Sequence, residues 1–375
     1  MGKKLTEEEK KKKEELRKIE REKNRLIKLE KKKVQKKFGQ FYTTNYDYIL
    51  DGFTIPDNSN IIEPFVGQGD LLNWIGSKPV EKYDIDPKIE CIHQDTLLTP
   101  PDYKDKFVIT NPPYLAKNKT KDRKVYDLWK VDDLYKAFIK SIVVGDVRGG
   151  IIIVPLNFLS GEDRDGGVRR LFFSKYKITK INIFEEKVFK DTGYTVCSFQ
   201  FERGNSCLLP ITIFPEKKNV KFCVLEEHEY RIGGEIYVTV RSKYKIGRLL
   251  AVSNIEKNKT PTSNLFLRAM DGGTDDNKIG LEINTNHFYG KDTDRVFCTI
   301  ITNIPFEDEQ YIVDKFNEKI ESYRTKYNSL FLTNYRESSK NYSRKRISFD
   351  LAYNIIAQIL EEKEFCTFYP GCPVS

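Results

Sequence analysis

The stretch "FVITNPPYLAKN", residues 107–118, places two prolines directly after four residues typical of a buried strand. Proline has no backbone N–H and a fixed φ, so the strand must end at Thr110 and a stiff turn must follow. That turn carries the amide of Asn111 and the ring of Tyr114. A purely structural turn needs neither group, so the stretch predicts a binding site directly after a strand.

Short apolar segments around this stretch predict a seven-stranded sheet, with strands at residues 60–65, 81–86, 90–95, 107–110, 149–155, 180–185 and 196–202. The segment "DDLYKAFIKSIVVGDV" has helical periodicity and separates the fourth strand from the fifth. Continuous apolar strands with helices between them are typical of an α/β fold with a mostly parallel sheet. In such sheets ligands bind beyond the carboxyl ends of the strands.

The length of 375 residues suits two domains, and the composition changes near residue 204. We expect a catalytic domain at 38–204 and a second domain at 205–375, where 306–327 and 351–364 read as helices. No apolar run approaches the roughly 18 residues of a membrane span. The N-terminus lacks the apolar region of a secretory signal, so we expect a cytoplasmic protein.

The positive charge lies in an N-terminal arm, residues 1–37, which holds 17 Lys/Arg and 8 Asp/Glu. Its excess of +9 equals the net charge of the whole chain, so the remaining residues are balanced. The arm reads as a charged helix that is solvated or, alternatively, adds phosphate contacts to bound DNA. The basic pI therefore does not show that the globular part binds nucleic acid.

The cysteines and histidines do not indicate a metal site. Seven cysteines include no C-x-x-C pair, and the chain has only three histidines. We expect no metal and reduced thiols.

Polar and glycine residues follow three further predicted strands. Gly67 and Gly69 permit a tight turn after the first strand, Asp84 ends the second, and Asp95 ends the third. Each alone is explained by a turn or a helix cap. Together, at successive strand ends, they predict a nucleoside pocket.

The motifs "EPFVGQGDLL" (63–72), "YDIDPK" (83–88), "QDTLL" (94–98) and "VITNPPY" (108–114) occur in an order that resembles the S-adenosylmethionine-dependent amino-methyltransferases. "KFGQFYTTNYDYILDGF" (37–53) resembles the motif that precedes the glycine turn in that family. The order is similar to that of the γ-class N6-adenine DNA methyltransferases of the TaqI type. The resemblance covers about residues 37–203. It implies a Rossmann-like seven-stranded methyltransferase sheet and a C-terminal mixed α+β target-recognition domain.

The resemblance implies a set of cofactor-binding residues for S-adenosylmethionine: Thr43, Glu63, Gly67, Gly69, Asp84, Ile85, Asp95 and Asn111. Thr43 would lie near the methionine end and Asp84 would hold the ribose hydroxyls. Ile85 would contact the adenine ring, and Asp95 would bind the adenine amino group.

It also implies the catalytic residues. The Asn111 side-chain oxygen and the Pro112 carbonyl would accept both N–H groups of an exocyclic amine, freeing its lone pair for direct methyl transfer. The target base would be flipped out of the duplex and stacked on Tyr114. Phe189 is expected to be the second aromatic, although Lys190 replaces the proline that often follows it in the family.

Two polar segments are candidates for contacts with DNA phosphates. Residues 115–130 read as a mobile loop, and residues 160–173 offer Arg169 and Arg170. A merely solvated loop is the alternative for both.

The sequence therefore predicts a site-specific adenine-N6 DNA methyltransferase, from a restriction–modification system or a virus. We expect a monomer that binds double-stranded DNA, with a cognate restriction endonuclease as a candidate partner. One alternative is an NPPY-type methyltransferase acting on RNA adenine or protein glutamine. Another is a non-catalytic nucleic-acid-binding module.

Overall fold

The computed structural model describes residues 20, 22–23, 25, 43–161, 167–186, 188–189, 195–251, 261–272, 278–335 and 344–368. The predicted N-terminal arm and the part of the upstream motif before Thr43 lie largely outside these residues.

A nine-stranded sheet forms the centre of the protein, in the order β3-β2-β1-β4-β5-β7-β6-β8-β9. Seven strands run in one direction, while β7 and β9 run in the other. The strands are β1 (Ile61–Glu63), β2 (Val80–Asp84), β3 (Ile92–His93), β4 (Phe107–Thr110), β5 (Gly149–Pro155), β6 (Tyr176–Phe184), β7 (Val196–Arg203), β8 (Leu208–Phe214) and β9 (Lys218–Cys223).

Helices join and cover these strands: α1 (Tyr46–Ile49), α2 (Asp70–Ile75), α3 (Lys124–Trp129), α4 (Leu134–Val144), α5 (Asn157–Ser160) and α6 (Val168–Phe173). Every residue of β4 and β5 is buried, as expected for central strands covered on both faces. Helix α4 buries one face that includes Phe138 and Ile142. The predicted Rossmann-like α/β fold is confirmed, with nine strands in the sheet rather than seven.

The two additional strands follow the predicted domain boundary at residue 204. Strand β8 pairs in parallel with β6, and β9 pairs antiparallel with β8. The central sheet therefore continues to Cys223. A disulfide joins Cys207 and Cys223, because the antiparallel pairing brings their Cα atoms to 4.9 Å. The expectation that all thiols are reduced is wrong for this pair.

The C-terminal part is mixed α+β. A four-stranded antiparallel sheet has the order β10-β13-β11-β12, and β14 pairs with β15. Its elements are β10 (Ile246–Arg248), β11 (Thr262–Arg268), β12 (Gly280–Ile283), β13 (Phe297–Thr302), α7 (Glu309–Tyr327), β14 (Thr333–Tyr335), β15 (Arg344–Arg346) and α8 (Phe349–Phe368). Both helices predicted here are confirmed.

Contacts join the C-terminal part to the central sheet and to α5. The Phe222 and Tyr327 rings lie 5.6 Å apart. The backbone N–H of Ile232 donates to the Leu159 carbonyl at 3.1 Å. Within the described ranges, no helix is long and apolar enough to cross a membrane.

Candidate functional site

A cleft of about 240 Å³ lies at the carboxyl edge of the sheet. Strands β2, β1 and β4 are neighbours there, so the segments that follow them meet at one place. Six of the predicted cofactor-binding residues line the cleft: Thr43, Gly67, Asp84, Ile85, Asp95 and Asn111. Glu63 and Gly69 are not among the lining residues.

The glycine turn after β1 forms one wall. Gly67 and Gly69 have φ values of 54° and 81°, in the left-handed region that favours glycine. The Gly69 N–H donates to the Val66 carbonyl at 2.9 Å, closing the turn before α2 begins at Asp70. Glycine is favoured at position 69 because a residue with a Cβ would be strained in this left-handed turn.

Asp84 connects this turn to the next strand. Its Oδ2 accepts the Gly67 N–H and its Oδ1 accepts the Asp86 N–H, both at 2.8 Å. The residue is buried. Each carboxylate oxygen has two lone pairs, so Asp84 can hold the turn and still accept a hydrogen bond from a ligand hydroxyl.

Ile85 and Asp95 also line the cleft. Ile85 is an apolar side chain with 39% of its surface exposed, which suits contact with a planar ring. Asp95 Oδ1 accepts the N–H groups of Leu97 and Leu98 at 3.0 and 3.1 Å. Asp95 therefore forms the kind of local turn that could by itself explain its presence. It also lines the cleft, as expected for a ligand-binding residue.

Glu63 lies within the protein rather than on the cleft surface. Its Oε1 accepts hydrogen bonds from the Thr110 hydroxyl and, at 3.1 Å, from the Phe65 N–H. Burial raises the pKa of Glu63 to about 8. Its Oε1 contacts join the ends of β1 and β4, while its buried Oε2 has no hydrogen-bond partner in the described part of the structure.

The charge of the cleft is strongly one-sided. Four carboxylates line it: Asp70, Asp84, Asp95 and Asp122. No lysine or arginine is among the described residues that line it. The cleft therefore favours a neutral or cationic ligand over one that carries phosphates.

Asp70 is a lining residue that the sequence analysis missed. Its side chain accepts a hydrogen bond from the Thr43 backbone N–H, and burial raises its pKa. The signal was its position directly after the glycine turn, at the start of α2. There its carboxylate lies beside Thr43 and near Asn111.

Asn111 follows β4 and is held at both ends of its amide. Nδ2 donates to Thr43 Oγ1 at 3.0 Å, and the Tyr114 hydroxyl donates to Oδ1. The same hydroxyl lies 2.7 Å from the carbonyl oxygen of Ile153 in β5, so its single proton has two acceptors within reach. Burial raises the pKa of Tyr114, so this hydroxyl remains a donor.

The other predicted catalytic residues do not line the cleft. Tyr114 is 2% exposed, and its ring contacts Tyr135 edge-on with centroids 6.2 Å apart. Phe189 is 3% exposed, and Pro112 is buried while Pro113 lines the cleft. Stacking on a base requires an exposed ring face, so in this structure neither aromatic residue is placed for that role.

The segment after NPPY contains helical elements rather than a continuous loop. It forms a 3₁₀ turn at Lys117–Lys119 and then α3. The Tyr126 hydroxyl donates to the Leu115 carbonyl at 2.8 Å, and Trp129 Nε1 donates to the Leu97 carbonyl at 2.7 Å. Both bonds hold the segment against the cleft, where Leu115, Thr120, Asp122, Val125 and Tyr126 contribute to the lining.

Arg169, a predicted phosphate contact, is a structural residue. It is 2% exposed, and its guanidinium donates to the carbonyls of Phe158, Gly161 and Glu229 at 3.0, 2.6 and 2.9 Å. These three carbonyls come from separate segments and converge on one buried donor. Their convergence depends on the fold, so the sequence pattern around Arg169 does not reveal it. Arg170 is exposed and stays a candidate.

Comparisons with known proteins give weak similarities only. No protein-family model matches the chain, and a search of curated proteins finds no match. Among solved structures, it is similar to a type I restriction–modification methyltransferase subunit from Streptococcus thermophilus, with 14% identity, coverage of 49% of this chain and 51% of that chain, and a TM-score of 0.35. The type IIG restriction endonuclease BpuSI is 15% identical, with coverage of 56% of this chain and 35% of that chain and a TM-score of 0.35. The EcoKI M protein is 13% identical, with coverage of 84% of this chain and 70% of that chain and a TM-score of 0.33.

The chain thus spans about half of the S. thermophilus subunit and about a third of BpuSI. Assignment of a function rests on the residues of the cleft.

Proposed function

We propose that the protein is an S-adenosylmethionine-dependent amino-methyltransferase whose target is N6 of adenine in duplex DNA. The observation that carries the proposal is the position of Asn111, at the edge of an acidic nucleoside-sized cleft and directly after a central strand. The motif order described above supports the choice of DNA adenine.

The charge of the cleft supports this cofactor over the dinucleotides and nucleotides that also bind at glycine turns. Those ligands carry phosphates, which need backbone donors together with basic side chains. The lining described above offers four carboxylates instead. S-adenosylmethionine carries a sulfonium and an ammonium group, which such a lining attracts.

The residues present fit the parts of this cofactor. Asp84 would accept hydrogen bonds from the ribose hydroxyls, Ile85 would contact the adenine ring, and Asp95 would accept a hydrogen bond from the adenine amino group; all three line the cleft. Asp70 and Thr43, which also line it, would bind the methionine end. When bound, the cofactor supplies a methyl group whose transfer forms an N–C bond and breaks a C–S bond, with the electron pair going to sulfur.

The role of this chain is to prepare the nucleophile. Asn111 Oδ1 would accept one N–H of the target amine and the Pro112 carbonyl the other, withdrawing the nitrogen lone pair from the ring. One of these protons then leaves to solvent. A base paired in a duplex cannot reach the cleft, so it must be flipped out.

The C-terminal mixed α+β part is proposed to recognise the DNA target. Arg170 and the lysines of residues 117–124 are proposed phosphate contacts, since such contacts come mostly from basic side chains. We further propose a monomeric cytoplasmic enzyme, with a restriction endonuclease as candidate partner.

The test is tritiated methyl transfer from S-adenosylmethionine to duplex DNA, ribosomal RNA and total cell protein, followed by digestion and analysis for N6-methyladenine. Label in duplex DNA as N6-methyladenine supports the proposal. Label in RNA or protein assigns the other substrate. No label with cofactor binding intact favours the non-catalytic binding module.

The matched variants are Asn111→Ala and Asn118→Ala. The first should abolish transfer and leave cofactor binding largely intact, whereas Asn118 is an exposed residue of the same segment and its variant should retain activity. Full activity of Asn111→Ala rules out the mechanism.

A further inference from the structure

We propose that Arg268, on the outer face of the four-stranded C-terminal sheet, reads a base edge of the target DNA. The inference rests on the proposed function and deepens it, because it assigns part of the sequence preference to a named side chain.

The first step is to identify the outer face of this sheet. Burial alternates along β11, where Leu265 and Leu267 are buried and the residues on either side of each leucine are less buried or turned the other way. Helix α7 packs on β11 and β12, and the buried leucines face it. Successive side chains of a strand point to opposite faces, so Phe266 and Arg268 lie on the face away from α7.

An aromatic cluster lies on this outer face. The rings of Phe266 and Phe297 are stacked with their centroids 5.7 Å apart, and the ring of Phe288 meets Phe297 edge-on at 6.5 Å. All three side chains are half-buried. Within the described part of the chain, none of them belongs to the main hydrophobic core or packs against it. Half-exposed aromatic rings that add nothing to the main core are typical of a binding surface.

Arg268 adds a fixed set of donors to this cluster. Its guanidinium lies 5.1 Å from the centroid of the Phe297 ring. The described residues provide it with no hydrogen-bond acceptor and no ion pair. Its N–H donors are therefore available to a ligand, and the ring beneath restricts the plane in which they lie.

The neighbouring charge favours a base edge over a phosphate. Glu282 of β12 is paired with Phe266, so its exposed carboxylate lies on the same face as Arg268. A carboxylate repels phosphates. In the major groove, by contrast, guanine offers acceptors that suit arginine, cytosine offers an amino group that suits glutamate, and the thymine methyl suits an apolar ring. The face therefore matches the chemistry of base edges.

The end of β11 lies on the cleft side of the central sheet. Three residues after Arg268, the Asp271 N–H donates to the Lys345 carbonyl at 3.0 Å. The Lys345 side chain interacts electrostatically with Glu185, which follows β6 directly. Strands β6 and β4 run in the same direction, so their carboxyl ends share one side of the sheet. The outer face is thus attached where a DNA substrate of the cleft would pass.

Arg248 in β10 provides the matched control. Its guanidinium also lies over a phenylalanine ring, that of Phe349, at 5.3 Å. Its donors, however, are bound to the backbone carbonyls of Asp292 and Asp294 at 2.9 and 3.0 Å. The two arginines belong to one sheet and carry the same charge, so they differ in whether donors are available to a ligand.

The experiment treats unmethylated genomic DNA with the wild type, Arg268→Gln and Arg248→Gln, and locates N6-methyladenine by single-molecule sequencing. We expect Arg268→Gln to lose discrimination at one base pair of the site, by roughly tenfold to a hundredfold in rate. Arg248→Gln should retain the wild-type site. If Arg268→Gln does not fold, Phe297→Leu removes the ring beneath the guanidinium and should relax the same position.

Two results overturn the proposal. An unchanged site preference in Arg268→Gln leaves the face to a protein partner. An equal loss of affinity for all sequences, with a salt dependence reduced by about one phosphate contact, assigns Arg268 to the DNA backbone.

A wild type that methylates no DNA would contradict the proposed function instead. Enrichment of bound duplexes from a random pool then tests the contact without catalysis. Sequence enrichment by the wild type that Arg268→Gln loses at one position supports the proposal, and no enrichment by the wild type overturns it.

Discussion

Asp84 Oδ2 accepts the backbone N–H of Gly67 at 2.8 Å, across 17 residues of sequence. The carboxylate that ends β2 thus fixes the turn that follows β1. A ligand that binds Asp84 therefore binds a group already oriented by the fold, which lowers the entropy lost on binding.

Replacing Asp84 should weaken cofactor binding more than removal of one ligand contact alone. Asp84→Ala removes the acceptor for Gly67 and a proposed acceptor for the ribose. Since one hydrogen bond to a charged group contributes about 1.5–3 kcal/mol, loss of the ligand contact alone should weaken S-adenosylmethionine binding roughly tenfold to a hundredfold, and loss of the bond that holds Gly67 should add to this. Isothermal titration calorimetry measures this change.

The control for Asp84 is Asp86→Ala. Asp86 lies two residues further on, accepts the Lys88 N–H at 3.0 Å and does not line the cleft. Its variant should bind the cofactor as the wild type does. Equal weakening in both variants would show that Asp84 acts only through local folding.

Gly69 and Gly76, which flank α2, allow backbone strain to be separated from a role in cofactor binding. Gly69→Ala places a side chain at a φ of 81°, and Gly76→Ala does the same at 74°, with no crowding at either site. Each should lower the free energy of unfolding by about 1–2 kcal/mol or more. Only Gly69→Ala should also weaken cofactor binding, because only Gly69 belongs to the turn at the cleft.

Thermal unfolding and titration calorimetry measure both quantities for this pair. The interpretation fails if Gly76→Ala weakens cofactor binding as much as Gly69→Ala, since both effects would then follow from general destabilisation.

The buried carboxyl of Glu63 should make stability depend on pH. Its pKa is raised to about 8 by burial, from an ordinary value of 4.5. Between these values the folded protein holds a proton that the unfolded chain has lost, so the free energy of unfolding falls as pH rises through this window. Glu63→Gln removes the titration. The melting temperature of Glu63→Gln minus that of the wild type should therefore become more positive as the pH is raised from about 5 to about 8.5.

Glu307→Gln makes the same substitution at an exposed position and should show no such trend. Melting curves across the pH range give the comparison. A constant difference between Glu63→Gln and wild type would mean that Glu63 is ionised when folded.

The strands and the cleft were predictable because their signals are local. Gly67, Asp84 and Asn111 each follow an apolar run, and parallel strands bring their carboxyl ends to one edge. The extension by β8 and β9 was missed because the composition changes near residue 204, whereas the sheet continues beyond that point through the parallel pairing of β8 with β6. The burial of Tyr114 also depends on a distant group, the Ile153 carbonyl, and no pattern within NPPY reveals it.

The burial of Arg169 bears on how the target specificity of such a protein could be changed. Its guanidinium donates hydrogen bonds to the backbone carbonyls of Phe158 and Gly161, which precede the C-terminal half, and of Glu229, which belongs to it. A chimaera that received a foreign C-terminal half would leave this charge without part of its solvation, at a cost that small surface changes avoid. On the proposed role of the C-terminal half in target recognition, new specificities should therefore arise by substitution within that half, or by exchange of a larger segment that also carries α5 and α6.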